Sequence, residues 1–261
     1  MAYVRGMWRH PLLTLLSGSF SPRQIPGLVL WLDAMDTGTI LAAGGGPISA
    51  DTKVETWRDK SGRGNHAINA TVNQQPTFRT AGLGSGKPAL EFFDSLFNVL
   101  NITDNSSLDY SGMALYNVNK WKTNDGAQQA LIAKYNTTGN LREFFQGINT
   151  TPNYIFTTST DGTSGTATSL AVATVVGTTN PNIFTARWDG TTKSARLNSG
   201  TPATTNVSIG AQNVGITIGT LSNAAQPFKG YQSEILLFNQ TMSSANDAAV
   251  MSYLTTKWAI P

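Results

Sequence analysis

The 261-residue chain contains no cysteine and only two histidines. A chain without cysteine forms no disulfide framework, no thiolate metal site and no cysteine nucleophile. A nucleophile–histidine–acid triad needs a histidine that the fold places beside the nucleophile, and only His10 and His66 are available. His66 stands in a glycine-rich turn, where we expect it to bond to nearby backbone. We therefore predict no catalytic residue of these types.

Charged residues are also scarce, at 13% of the chain, and their small basic excess is confined to the N-terminal part. Arg5, Arg9 and Arg23 precede Asp33, the first acidic residue. From residue 28 onward the remaining 15 basic residues equal the 15 acidic ones. The body of the chain therefore lacks the basic stripe that phosphate binding requires, and we expect no nucleic-acid partner.

Long apolar runs are missing as well. The run Leu12–Leu16, interrupted by Thr14, follows Arg5 and Arg9. It is shorter than the apolar region of a signal peptide, and no small-residue cleavage site follows it. No segment approaches the roughly 18 apolar residues of a membrane helix. We expect neither a secretion signal nor a membrane span.

Residues 1–27 differ from the rest of the chain. They contain no acidic residue, and Pro11, Pro22 and Pro26 prevent one continuous helix. They nevertheless carry many large apolar side chains, which are rarely left in water without a partner. This pattern predicts an N-terminal anchoring arm that docks on a sister subunit, on a shell or tail lattice, or on the domain's own surface. The expected contact residues are Arg5, Met7, Trp8, Arg9, Leu12, Leu13, Leu15, Leu16 and Phe20.

Residues 28–261 are expected to form one domain of many short strands. Apolar or alternating runs are separated by clusters of Gly, Asn, Asp and Ser, which is typical of strands joined by tight turns. Asp189–Thr192 lies between two such runs and contains Gly190, so it predicts a hairpin turn. The predicted strands are 28–32, 88–93, 97–102, 112–121, 128–135, 141–148, 153–159, 168–176, 182–189, 193–198, 214–219 and 230–239.

One helix is predicted at the C-terminus. Ser244 is the expected N-cap, and Asp247, three residues on, occupies the acidic position of a capping box. An apolar stripe at helical spacing follows it and is expected to pack on the sandwich. Its members are Val250, Met251, Leu254 and Trp258, and Pro261 is expected to end the helix.

Several segments together resemble the laminin-G-like, concanavalin A-like jelly roll of many bacterial and phage proteins. The resemblance spans roughly residues 27–258. Its most specific part is the Trp-x-Asp-x-Ser-Gly-x-Gly-Asn-His-Ala segment at 57–67; the others are 28–33, 88–92, 228–231, 234–239 and 253–258. The resemblance implies an all-β, two-sheet antiparallel sandwich, here with one short C-terminal helix and an extended N-terminal arm. It implies less about activity, because this fold supports lectins, hydrolases, adhesion modules and virion proteins.

Candidate binding residues fall into two groups. Calcium in this fold is held by loop oxygens, and Asp33, Asp36, Asp59 and Asp161 are candidates, although none is clustered and each is expected to cap its own turn. Aromatic rings stack on the CH faces of sugars, and the candidates for such contacts are Trp121, Tyr135, Tyr154 and Trp188. For each ring the alternative is packing in the core. We expect no required cofactor or metal.

Three functions follow from these features. The first is a non-enzymatic structural or decoration protein of a virion, expected to be a bacteriophage, which is assembled as an oligomer or on a lattice through its arm. The alternative is a carbohydrate-binding adhesion module that recognises a cell-surface glycan. The third is a glycan hydrolase, which needs two carboxylates flanking the scissile bond. No strand carries such a pair on one face, so we predict that the protein is not an enzyme.

Overall fold

A computed structural model describes residues 20–93, 97–123, 125–175, 179–222 and 224–261. Within these ranges the chain forms two antiparallel sheets packed face to face and one α-helix, α1 (Ser244–Trp258), at the C-terminus. The sandwich expected from the sequence is therefore confirmed. No helix in the described ranges has the length and apolarity needed to cross a bilayer.

Sheet A has eight strands and carries the helix on its outer face. The order of strands across the sheet is β15, β14, β13, β8, β17, β6 and β5. In addition, β1 pairs with the second half of β17. The strands are β1 (Leu28–Asp33), β5 (Thr77–Gly84), β6 (Lys87–Phe92), β8 (Met113–Trp121), β13 (Asn182–Trp188), β14 (Thr192–Leu197), β15 (Ala203–Asn206) and β17 (Gly230–Phe238).

Sheet B has nine strands in the order β12, β11, β10, β9, β16, β7, β4, β3 and β2. Its inner face and that of sheet A enclose the main core, to which Leu30, Phe144 and Phe184 belong. The strands are β2 (Ile40–Ala42), β3 (Val54–Trp57), β4 (Ala67–Ile68), β7 (Leu100–Ile102), β9 (Gln129–Asn136), β10 (Leu141–Ile148), β11 (Asn153–Gly162), β12 (Thr168–Val175) and β16 (Ile216–Ile218).

All twelve predicted strands are present, with ends shifted by at most three residues. The prediction missed β2, β3, β4, β5 and β15. The first three are two to four residues long, too short to display an alternating pattern. In β15 all four residues are polar or small, and none is buried. The hairpin turn at Asp189–Thr192 is confirmed, with Gly190 at φ +101°.

The C-terminal helix is confirmed, but its cap was misassigned by one residue. Ser243 is the N-cap, and its side chain accepts a hydrogen bond from the Asn246 amide at 3.2 Å. Asp247 is buried and forms no capping box, because it binds Tyr116 and Arg196 of sheet A. The predicted apolar stripe is buried along its whole length. The helix ends at Trp258 through Ala259 in the left-handed conformation, two residues before Pro261.

Only the last part of the predicted arm lies within the described residues. Phe20 packs against Tyr253 of the helix with ring centroids 5.8 Å apart. A single 3₁₀ turn at Pro22–Gln24 follows, and Ile25 is buried in the core. Residues 20–27 therefore rest on the sandwich. The other predicted arm residues, Arg5, Met7, Trp8, Arg9, Leu12, Leu13, Leu15 and Leu16, lie outside the described residues.

A buried carboxylate joins the helix to sheet A. Glu234 of β17 is fully buried, and its oxygens accept hydrogen bonds from Trp31 Nε1 at 2.7 Å and Trp258 Nε1 at 2.5 Å. The Tyr253 hydroxyl donates at 2.8 Å, and Lys257 Nζ lies 2.8 Å away. Burial raises the pKa of Glu234, which Lys257 opposes. Because a buried carboxylate is tolerated only when it is paired and hydrogen-bonded, these four partners fix where the helix lies.

A buried cation of sheet A is bonded to sheet B. Lys193 of β14 is fully buried, and its Nζ donates to Thr168 O at 2.6 Å, Thr168 Oγ1 at 2.9 Å and Thr158 Oγ1 at 3.1 Å. These threonines belong to β12 and β11. No carboxylate in the described chain pairs with the ammonium group, and burial lowers the pKa of Lys193 to about 8.

We predict that Glu234→Gln destabilises the fold by about 2–4 kcal/mol. The amide keeps the shape of the carboxylate but turns an NH₂ toward Trp258 and Lys257, so that donors face donors. Urea unfolding measures the change. Asp36→Asn, which removes an exposed partner of Lys60, is the matched control and is expected to cost under about 1 kcal/mol. Equal costs for the two variants would contradict the role of Glu234.

We further predict that the free energy of unfolding rises with pH between about 8 and 10.5, by up to roughly 3 kcal/mol. The folded-state pKa of Lys193 lies below its unfolded value, so the unfolded chain binds more protons in this window and deprotonation favours the folded state. Unfolding curves at several pH values test this. In the Lys193→Met variant we expect the free energy of unfolding no longer to rise with pH in this window. If it rises as in the unaltered chain, other titrating groups cause the rise.

Candidate functional site

The most specific sequence motif forms a loop centred on Asp59. One carboxylate oxygen of Asp59 accepts hydrogen bonds from the amides of Trp31 at 2.9 Å and Ser61 at 2.8 Å. The other accepts from Ser61 Oγ at 2.7 Å and from the Asn65 amide at 3.0 Å. Gly62 and Gly64 adopt positive φ angles of 92° and 77°, which a side chain would strain. The motif therefore holds a rigid loop against the start of β1.

Two further residues of the motif attach this loop to its surroundings. Asn65 is buried, and its side-chain nitrogen Nδ2 donates to Val29 O at 2.7 Å and to Ser107 Oγ at 2.9 Å. His66 Nδ1 accepts from the Asp59 amide at 3.0 Å. The expectation that His66 bonds to nearby backbone is confirmed. The motif is thus structural, and its exposed tip is formed by Gly62, Arg63 and Gly64.

The predicted calcium ligands do not converge. Asp33 pairs with Lys60 and Lys257, and Asp36 pairs with Lys60. Asp59 is saturated within its own loop, while Asp161 accepts from the Thr163 amide at 2.8 Å and from Thr166 Oγ1 at 2.5 Å. Among the described residues no group of three His, Cys, Asp or Glu is placed to hold a metal ion.

A carboxylate with a shifted pKa lies out of reach of any substrate. Burial raises the pKa of Glu143 to about 7, a value suited to a general acid. Glu143 is only 1% exposed, however, and its Oε2 lies 3.1 Å from the fully buried Lys134 Nζ and accepts from the Gln212 amide at 2.8 Å. This pair joins β9 and β10 to the loop before β16, which is a structural role.

The four aromatic rings proposed for sugar stacking are buried, and one of them lines a concave site. Trp121 and Tyr154 are at most 1% exposed and bond to Gln129 and Asn119 inside the sandwich. Because neither ring has a face open to solvent, neither stacks on a sugar in this conformation. Tyr135 lies in a small apolar cluster of sheet B beneath Arg142. Trp188, at 8% exposure, borders a pocket on sheet A. It is paired with Lys193, so its ring points to the inner face of the sheet, and its Nε1 donates to Val207 O at 3.0 Å.

This pocket, here called the hydroxyl pocket, lies on sheet A near the start of α1. Arg187, Ser194 and Thr204 form one row across β13, β14 and β15, because Ser194 is paired with both of the others. Directly paired residues point to the same face of a sheet. The cavity measures about 230 Å³ and is lined by Arg187, Trp188, Asp189, Thr192, Ser194, Pro202, Thr204, Thr241 and Met242.

The hydrogen-bonding capacity of the hydroxyl pocket is partly unused. Asp189 accepts from the amides of Thr191 and Thr192, and Arg187 donates to Met242 O at 2.5 Å, so both charged groups are fixed in place. The hydroxyls of Ser194, Thr204 and Thr241 have no hydrogen-bond partner within the described chain. The pocket therefore offers hydroxyl donors and acceptors beside fixed charges.

A second concave site, here called the arginine cleft, lies beside the Asp59 loop. It measures about 410 Å³ and is lined by Arg23, Ile25, Pro26, Gly27, Leu28, Ser61, Gly62 and Arg63. Its two arginines come from opposite walls, one from the residues before β1 and one from the loop tip. In the sequence Arg23 was recognised only as part of the N-terminal basic excess, and Arg63 was not predicted to bind a ligand.

The hydroxyls that line the hydroxyl pocket were not predicted from the sequence. The residues that bear these hydroxyls are common in a threonine-rich chain and do not form a sequence motif. They are Thr192, Ser194, Thr204 and Thr241. Strand register and the approach of residue 241 bring them together, and neither is visible in the local sequence. Neither site has two carboxylates among its lining residues, so neither offers the pair that glycan hydrolysis requires.

No protein-family model matches the chain, and no curated protein sequence matches it. Its fold is nevertheless similar to solved structures. One is the binding domain of Paraclostridial Mosquitocidal Protein 1, with a TM-score of 0.61 at 10% identity over 90% of this chain and 53% of that one. Another is the ligand-binding domain of botulinum neurotoxin serotype D in complex with N-acetylneuraminic acid, with a TM-score of 0.59 at 10% identity over 87% and 51%. The chain thus spans about half the length of these toxin domains.

A third similar structure matches nearly end to end. Domain 4 of AbnA, an extracellular arabinanase from Geobacillus stearothermophilus in complex with arabinotriose, gives a TM-score of 0.53 at 10% identity over 86% of this chain and 97% of that one. At this identity the similarities establish a shared β-sandwich fold. The laminin-G and phage parts of the sequence resemblance stay predictions, and the two-sheet β-sandwich architecture is the part that these structures share with the chain.

Proposed function

We propose that this protein is a non-catalytic carbohydrate-binding module and that the hydroxyl pocket holds one sugar residue of its glycan. The observation that carries the proposal is the row Arg187–Ser194–Thr204, whose two hydroxyls have no hydrogen-bond partner within the described chain and lie beside fixed charges. Sugars are recognised by hydroxyl, amide and charged groups that form hydrogen bonds. Hydroxyl groups and charged groups are both present here.

The dimensions of the pocket support this ligand class. Sites for drug-sized ligands measure about 300–1,000 Å³, whereas this cavity is about 230 Å³. It fits a single ring, with the rest of the glycan in solvent. Because Arg187 and Asp189 are already held by protein atoms, binding costs little side-chain ordering.

The similar structures add support from fold. One is described in complex with N-acetylneuraminic acid and another in complex with arabinotriose. These ligands belong to those proteins; for this chain they favour a sugar over other small molecules. A non-catalytic role agrees with the lack of a carboxylate pair in either site and with the burial of Glu143.

The virion role was the leading hypothesis from the sequence, and glycan binding was its alternative. The virion role depended on residues 1–27, of which residues 1–19 lie outside the described chain. The pocket and the similar folds favour the alternative. A displayed virion domain that binds a host glycan is compatible with both, and a virion partner stays a prediction.

We predict that the full chain binds a defined set of glycans on a glycan array. The double variant Ser194→Ala, Thr204→Val is expected to bind these glycans about tenfold more weakly. Two lost hydrogen bonds, at about 0.5–1.5 kcal/mol each, account for that factor. Titration calorimetry with the best glycan measures the change.

Thr205→Val is the matched control, because Thr205 is an exposed neighbour on the opposite face of β15, paired with Lys193. It is expected to bind as the unaltered chain does. A folded sample that binds no glycan on the array would exclude the proposal. An equal loss of affinity in the control and in the double variant would show that the hydroxyl pocket is not the binding site.

A further inference from the structure

We propose that the arginine cleft is a second binding site and that it takes a carboxylate-bearing sugar, such as a uronic acid. It shares no lining residue with the hydroxyl pocket. The inference therefore goes beyond the proposed function and differs from it in ligand chemistry, because its selectivity depends on charge.

One wall of the cleft is rigid. Arg63 lies at the tip of the Asp59 loop, where its own amide donates to Ser61 Oγ at 3.1 Å. The same Ser61 hydroxyl donates to Val29 O at 3.1 Å, which attaches the tip to β1. A loop held by these bonds keeps the backbone of Arg63 in nearly the same place before and after binding, which limits the backbone entropy lost on binding.

The opposite wall positions the second guanidinium. Arg23 donates from Nε to Lys60 O at 2.7 Å, and its guanidinium carbon lies 6.0 Å from the centre of the Trp31 ring. The bond uses only Nε, so both terminal nitrogens remain for a ligand. A guanidinium held by its Nε is well placed to bind a planar carboxylate with two parallel hydrogen bonds.

Neither arginine has an acidic partner in the described chain. The nearby carboxylates are engaged elsewhere: Asp33 and Asp36 pair with lysines, and both oxygens of Asp59 are used inside the loop. Two unpaired guanidinium groups in one concavity repel each other, and an anion between them removes that repulsion. The cleft is therefore complementary to a single negative charge.

The ligand is expected to be a sugar acid because of the rest of the lining. The exposed backbone at Gly62 offers small polar contacts, while Pro26 and Leu28 add apolar surface. A carboxylate attached to a pyranose ring combines an anion with hydroxyls and CH groups of matching size. The cleft, at about 410 Å³, accommodates one such ring.

Calorimetric titration of the full chain with trigalacturonic acid and with its methyl ester tests the proposal. The two probes share every ring and differ in their carboxyl groups, which are charged in the acid and neutral in the ester. We expect the acid to bind at least tenfold more tightly than the ester. Arg63→Gln is expected to remove most of this difference because it removes one of the two positive charges, whereas Arg63→Lys, which keeps the charge, is expected to retain part of it.

Arg58→Gln is the matched control, since Arg58 is an exposed arginine of the same region that does not line the cleft. It is expected to change the affinity less than twofold. Equal binding of acid and ester, or an equal loss in Arg58→Gln and Arg63→Gln, would overturn the proposal. Thermal unfolding of each variant verifies that the fold is intact.

The Ser194→Ala, Thr204→Val variant separates the two sites. If this variant binds the acid as the unaltered chain does, the acid does not bind in the hydroxyl pocket. The proposal for the arginine cleft is then kept, whether or not the hydroxyl pocket binds a glycan. If the variant loses the acid, the acid binds in the hydroxyl pocket and the cleft is not a site.

Discussion

The buried carboxylate of Glu234 is the interaction on which the outer layer of this protein depends. Trp31 reaches it from β1, and Tyr253, Lys257 and Trp258 reach it from the helix. A carboxylate without these partners would be costly to bury. One residue therefore positions the first strand and the last helix on sheet A at the same time.

Both concave sites follow from this arrangement. The helix leaves the far end of the β13–β14–β15 surface uncovered, and there the Arg187–Ser194–Thr204 row meets Thr241 in the hydroxyl pocket. The start of β1, held on β17, forms the base on which the Asp59 loop rests. The loop and residues 23–28 then enclose the arginine cleft. The two sites lie on rigid elements, which suits binding without a conformational change.

Much of the fold was predictable because its signals are local. Alternation along β13 and the stripe from Val250 to Trp258 gave strand and helix correctly. The failures were non-local. Asp247 was assigned to a cap, but Arg196 and Tyr116, distant in sequence, draw it into the interior. Hydroxyls at 194, 204 and 241 carry no pattern of their own, so strand register alone makes them a site.

The central claim is that the hydroxyl pocket binds a sugar, and amide chemical shifts test it most directly. A ¹⁵N-labelled sample of the full chain would be titrated with the glycan that it binds most tightly. The account predicts saturable shifts at the amides of Thr192, Ser194 and Thr204, with the amides of sheet B unchanged. Saturable shifts confined to sheet B, or no shift at any residue lining the pocket, would contradict it.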